Sequence, residues 1–123
     1  MDFTDVYELS MVFSQKIWNM VADWPVLPKG TVGKQIIRSS DSISANLMEG
    51  YGRYSFKERN VFYIISRGSL FETRCWIQKS HDRKLIDEPV FLDLVNQFEV
   101  LQMQINRLIR ITREQSNRKI VNR

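Results

Sequence analysis

The sequence predicts an all-α protein, an up-down-up-down four-helix bundle, and three observations carry that expectation. Apolar residues recur at steps of three and four in four successive stretches, the spacing of one helix face. The three prolines, Pro25, Pro28 and Pro89, all fall where a helix should begin or end, since proline lacks the amide that an interior turn needs. Nowhere do apolar and polar residues alternate over the length of a strand. A chain of 123 residues fills one domain and divides poorly in two, so a single bundle is expected over residues 1–123, with its core over about 4–112.

The first helix is expected from about Asp5 to Trp24. Val6, Leu9, Phe13, Ile17, Met20 and Trp24 give its stripe, and Thr4 or Asp5 can cap its start, where acids suit the positive end of the dipole. Trp24-Pro25 ends it, because a residue before proline is pushed out of the helical region. After the linker over residues 25–30, a second helix is expected from Thr31 to Met48, lined by Val32, Ile36, Ile43 and Leu47. Serines at 39, 40, 42 and 44 interrupt it, although serine forms helices poorly. They read either as small side chains that let another helix approach or as a phosphate-binding cluster. Gly50 or Gly52 supplies the C-terminal cap, because glycine takes a positive φ cheaply.

Ser55 and Glu58 have the spacing of a capping box and open a third helix that runs to about His81. Phe62, Ile65, Ser69, Glu72 and Trp76 share its face, and Gly68, costly inside a helix, predicts a tight crossing. Asp87 and Pro89 open the fourth helix as cap and first turn. Phe91, Leu94, Phe98, Leu101, Ile105 and Leu108 then form an uninterrupted heptad seam. Past Thr112 the polar, basic stretch 113–123 is expected to fray. Helices of similar length, about 30 Å each, joined by short links, complete the expectation.

Charge is distributed unevenly. The net charge is +4, yet residues 1–24 carry Asp2, Asp5, Glu8 and Asp23 against Lys16 alone. The basic excess lies in the third and fourth segments, which suits a nucleic-acid or acidic-protein partner. The candidate nucleic-acid-binding residues are Arg53, Lys57, Arg59, Arg67 and Arg74, with Arg107, Arg110 and Arg113 on the fourth helix. Over residues 51–59 aromatics interleave with cations, the combination that holds single strands. The same stretch also reads as a turn whose rings pack on the bundle end while its charges meet water.

Catalytic chemistry finds little support. His81 reads as a C-terminal helix residue, Cys75 as a buried inert thiol, and the serines lack a base. Gly50 and Gly52 follow a helix rather than a strand, so they fail the context of a phosphate loop. Glu49 and Glu72 resemble paired carboxylates, but the Glu-x-x-His motifs of di-metal bundles are missing. Glu72, on an apolar stripe, calls for Arg38, Arg74 or a neighbouring subunit as partner. Asn46 is placed to satisfy backbone groups in the following turn. The sequence thus calls for no catalytic residue, cofactor, metal or small-molecule substrate. Nor does it call for a membrane, and one cysteine with no secretory leader suits the cytoplasm.

Asn46, Glu49-Gly50-Tyr51-Gly52-Arg53, then Gly68-Ser69-Leu70 and Glu72, together with Gln35-Ile36, Arg38 and Ser42-Ile43, carry a resemblance. The chain resembles the bacterial four-helix bundle proteins encoded in intervening sequences of large-subunit ribosomal RNA genes, also labelled a ribosomal-protein family. That family includes the accessory variability protein of diversity-generating retroelements. The likeness spans almost the whole chain, departing at Tyr7, where tryptophan is usual, and at Ser44, where proline is common. It implies a homo-oligomer, with a pentamer suggested, and a basic surface. For the retroelement branch it implies binding to a reverse transcriptase and nucleic acid. Apolar residues beyond the main stripes, Tyr7, Met11, Trp18 and Phe71, fit self-association. The expectation is therefore a non-catalytic RNA- or nucleoprotein-binding accessory protein. The alternative is an oligomeric protein-interaction module without direct nucleic-acid binding.

Overall fold

The four expected helices form: α1 over Phe3–Ala22, α2 over Lys34–Tyr51, α3 over Phe56–Asp82 and α4 over Glu88–Val121. The computed structural model describes residues 2–121, with side chains through residue 118, and among the described residues there is no strand. Each helix packs on its sequence neighbours, and α4 closes the ring against α1. The topology is up-down-up-down.

Local chemistry sets the ends. Asp2, rather than Thr4 or Asp5, caps α1: its carboxylate accepts from the Asp5 amide at 3.2 Å, and the Asp5 carboxylate accepts from the Asp2 amide at 3.0 Å. The Pro25–Gly30 linker is itself helical, an α turn over Val26–Pro28 followed by a π turn over Lys29–Gly33 that runs into α2. Ser55 caps α3 by accepting from the Glu58 amide at 3.1 Å. The α3–α4 turn closes with the Leu85 amide donating to the Ser80 carbonyl at 2.9 Å and Lys84 at φ 60°, a left-handed position usually given to glycine. Asp87 caps α4, accepting from the Val90 amide at 3.0 Å.

The core is built from Phe13, Ile17, Ile36, Ile43, Leu47, Leu70, Ile77, Leu101 and Ile105, each essentially buried. The α4 seam packs as expected through Leu94, Phe98, Leu101 and Ile105, then drifts to Ile109 and Thr112. Two stripes differ from expectation. On α1 the buried line is Val6, Ser10, Phe13, Ser14, Ile17 and Val21, leaving Leu9 at the surface. On α3 it is Asn60, Tyr63, Ser66, Leu70, Thr73, Ile77 and Ser80, while Phe62, Ser69, Glu72 and Trp76 flank it and Ile65 is exposed. Small hydroxyl residues face inward because their side chains are satisfied there, as with Ser10 to the Tyr7 carbonyl at 2.6 Å and Ser80 to the Trp76 carbonyl at 2.7 Å.

Hydroxyls also join α2 to α3. Ser39 meets Thr73 at 2.8 Å, Ser42 meets Ser69 at 2.9 Å, and Ser66 donates to the Ile43 carbonyl at 2.7 Å. Ser39, Ser40 and Ser44 are buried, so the α2 serines serve helix approach and do not form a phosphate-binding cluster. The helices differ in length: α2 has 18 residues and α4 has 34, so α4 extends about 50 Å. The stretch after Thr112, expected to fray, stays helical to Val121 because no proline or glycine stops it. Residues 122 and 123 of that expected tail lie outside the described residues.

Candidate nucleic-acid interface

The α2–α3 turn carries Arg53 and Arg59 and uses both to build itself. Gly50 sits so close to α3 that a Cβ would lie 2.8 Å from Tyr63 Cε1 and 2.9 Å from the Arg59 carbonyl oxygen. It is needed for this approach and not for a positive φ, since no glycine here takes one. Arg53 pairs with Glu49 at 2.9 Å and lies 4.5 Å from the centre of the Phe62 ring. Arg59 donates from Nε to the Arg53 carbonyl at 2.9 Å, with its guanidinium over Phe56 at 5.2 Å and Tyr51 at 5.6 Å. Tyr51 stacks in turn on Phe3 at 4.1 Å. Two rings of this segment, Tyr51 and Phe56, thus pack at the bundle end as the second reading of residues 51–59 has it, while Tyr54 is 91% exposed. Arg53 is committed to the fold, while Arg59 keeps its two terminal amino groups without an acceptor among the described residues. Lys57 is exposed on the first turn of α3.

The α4 arginines are arranged differently. Arg107, Arg110 and Arg113 are exposed, and among the described residues none has an ion-pair or hydrogen-bond partner. They line one surface groove between α3 and α4 with Met103, Gln104, Asn106 and Ile109. Arg67 lies across it from α3, donating to Asn106 Oδ1 at 3.0 Å. Arg74 does not join them. It lies two turns further along α3, bonded to Gln78 at 3.3 Å and over the Phe91 ring at 5.6 Å. Of the eight expected basic residues, the groove gathers Arg67, Arg107, Arg110 and Arg113, while Arg59 and Arg107 share the adjoining cleft.

The expected motif residues have structural work, though not always the work expected. Glu72 is over a third exposed rather than buried; it pairs with Arg38 and accepts from Trp76 Nε1 at 3.0 Å. Asn46 donates backwards, to the Ser42 carbonyl at 2.8 Å and hydroxyl at 2.9 Å, not into the turn that follows. Gly52 ends α2 with its amide on the Met48 carbonyl at 3.1 Å. Gly68 departs furthest from expectation. Nothing lies within 4 Å of where its Cβ would be, so no tight crossing forms there within the chain.

Elsewhere, Cys75 is exposed and not buried as expected. His81 contacts Glu88 Oε2 at 2.7 Å and stacks on Phe91 at 4.0 Å. Among the described residues no three His, Cys, Asp or Glu side chains are grouped to hold a metal, and no helix is long and apolar enough to cross a membrane.

Sequence reasoning missed Gln104, which lines both the groove and the cleft and whose Oε1 is buried without a hydrogen-bond partner. A polar residue beside Ile105 on an amphipathic helix looks like any flank position, so no sequence signal marks it. Tyr63 was missed with the phase of α3; burial pushes its hydroxyl pKa up to about 12, Arg59 partly opposing and Tyr51 adding.

The same outline occurs in known proteins. The family model described as 23S rRNA-intervening sequence protein matches residues 3–107. A crystal structure of a protein of unknown function from the S23 ribosomal protein family of Bacteroides thetaiotaomicron is similar at TM-score 0.82 and 22% identity, covering 89% of this chain and 99% of that one. No curated protein matches the chain.

Proposed function

The chain belongs to the 23S rRNA-intervening sequence protein family, and from that premise we propose that it is a non-catalytic RNA- or nucleoprotein-binding accessory protein. Its binding face is the groove between α3 and α4. The observation that carries this reading is the row Arg107, Arg110 and Arg113, with Arg67 opposite and no carboxylate partner for any of them among the described residues. Like charges one turn apart cost a helix a few tenths of a kcal/mol per pair, roughly 0.2–0.5. A row kept unneutralised suits an external polyanion, whose counterions it displaces on binding. The groove presents guanidinium groups and no base-reading loop, so contacts to phosphate dominate and sequence preference is modest.

The reading also includes self-association. Val61, Ile64, Ile65, Phe71 and Cys75 form an exposed stripe on α3 about Gly68, and Met11, Val12 and Trp18 are exposed on α1. Glycine at an open mid-helix site costs about 1 kcal/mol against alanine, which close approach by another copy offsets. Such an assembly, a pentamer in the suggested form, places weak RNA sites side by side and raises avidity without new contacts.

The test is a titration of labelled single-stranded and structured RNA, with an acidic protein as competitor. Binding at low salt that an acidic protein displaces only weakly supports the reading. No RNA binding, with capture of the acidic protein instead, favours a protein-interaction module.

A further inference from the structure

Beside the arginine groove lies a cleft of about 280 Å³ at the end of the bundle, where α1 and α3 begin, α2 ends and α4 passes. Its size matters first. A void of ~150 Å³ holds a benzene ring, so this one has room for a larger flat heterocycle. Phe3, Tyr51, Phe56 and Tyr63 bring aromatic surface to it. Arg59 also lines it, with its guanidinium fixed at Nε by the Arg53 carbonyl and backed by the Tyr51 and Phe56 rings. A guanidinium held in this way is a preset stacking plane. Arg107 is shared with the groove and has no partner among the described residues, so it can take an anion where the two meet, while Asp2, the carboxylate that also lines the cleft, is held by the Asp5 amide at the α1 cap.

Gln104 supplies the third feature. Its Oε1 reaches neither a protein donor nor solvent, although the side chain lines both cavities. A buried acceptor left unpaired is costly, so a ligand donor that meets the amide on a rotamer change recovers that cost. A flat ring, an N–H donor and an adjoining anion occur together in one nucleotide.

We propose that this cleft takes a single unstacked nucleotide, its ring against the Arg59 plane, its phosphate on Arg107 and its base edge on the Gln104 amide. The inference rests on the groove reading above for how an RNA strand arrives, because Arg107 and Gln104 make the groove and cleft continuous. The same chemistry is offered by a free nucleoside 5′-monophosphate, so both sources enter the test.

The experiment is NMR titration of isotope-labelled protein with AMP, GMP, CMP and UMP, with ribose 5-phosphate as control, and then with a short single-stranded RNA. The expected result is saturable shifts at Tyr51, Arg59, Tyr63, Gln104 and Arg107 with at least one monophosphate, whereas ribose 5-phosphate shifts Arg107 at most and leaves Tyr51, Arg59, Tyr63 and Gln104 unmoved. Gln104→Leu should keep its melting temperature and lose about tenfold in monophosphate affinity, the effect of one hydrogen bond. RNA binding with no monophosphate shifts, and RNA affinity unchanged in Gln104→Leu, overturns the cleft and leaves the groove standing. Monophosphate shifts at the named residues without RNA binding support the cleft and overturn the groove. Shifts confined to Arg110 and Arg113 overturn the cleft whether or not any variant folds.

Discussion

Gly50 and Gly68 belong to one sequence pattern but answer to different neighbours. A Cβ at position 50 would strike the Arg59 carbonyl oxygen at 2.9 Å, whereas one at position 68 meets nothing within 4 Å. Gly50→Ala is expected to cost about 1–3 kcal/mol, because backbone must move to admit it. Gly68→Ala should raise the stability of the separated subunit by up to about 1 kcal/mol. Urea unfolding at dilute protein concentration should move the two midpoints in opposite directions. Tyr63 gives a second residue-scale test. Its hydroxyl pKa is held at about 12 by burial, above the ordinary value near 10, so folding favours the protonated form. That contribution is intact below about pH 10 and is lost as pH rises towards 12. Wild type should therefore lose more stability than Tyr63→Phe over that interval, and parallel losses would mean that Tyr63 is not held neutral by the fold.

At the scale of the element, the starts of α3 and α4 and the α4 seam were legible because Ser55, Asp87 and the apolar period mark them, whereas α1 is capped earlier, at Asp2, and α4 runs on past Thr112. The phases of α1 and α3 were not. Their buried lines run through Ser10, Ser14, Ser66, Thr73 and Ser80, and a period read from apolar residues alone passes these by. The hydroxyls bond to helix carbonyls or to each other, which removes the cost of burying them. Leu101→Ala or Ile105→Ala should each cost about 2–5 kcal/mol, as expected for fully packed seam residues. Thr73→Val, which keeps shape but breaks the hydrogen bond with Ser39, should cost only about 1 kcal/mol. Thermal or denaturant unfolding checks the order. A Thr73→Val destabilisation matching that of Leu101→Ala would mean that the α2–α3 hydroxyl contacts hold the bundle as strongly as the α4 seam does.

At the scale of the molecule, sequence located the basic segments but could not say which arginines the fold had already used. Arg53 is held by Glu49 and Phe62, and Arg74 leans on Phe91, whereas Arg67 joins the α4 row Arg107, Arg110 and Arg113 only because α3 and α4 run side by side. Exposed apolar surface follows the same logic: Tyr7 stacks near Phe3 and Phe71 meets Phe98 edge to face while staying half exposed, whereas Met11 and Trp18 remain outside. Sedimentation should give a mass several times 14.6 kDa, and Ile65→Glu should reduce it towards a single subunit without loss of helix. An unchanged mass would remove the α3 stripe from the interface. Salt-dependent RNA titration of a folded variant with Arg107, Arg110 and Arg113 changed to glutamine tests the proposed RNA-binding groove most directly. Wild type should bind tightly at low salt and weaken steeply as salt rises. The variant should bind more weakly, with a salt slope shallower by about one for each phosphate it no longer neutralises. Equal affinity and equal slope in wild type and variant would contradict the assignment.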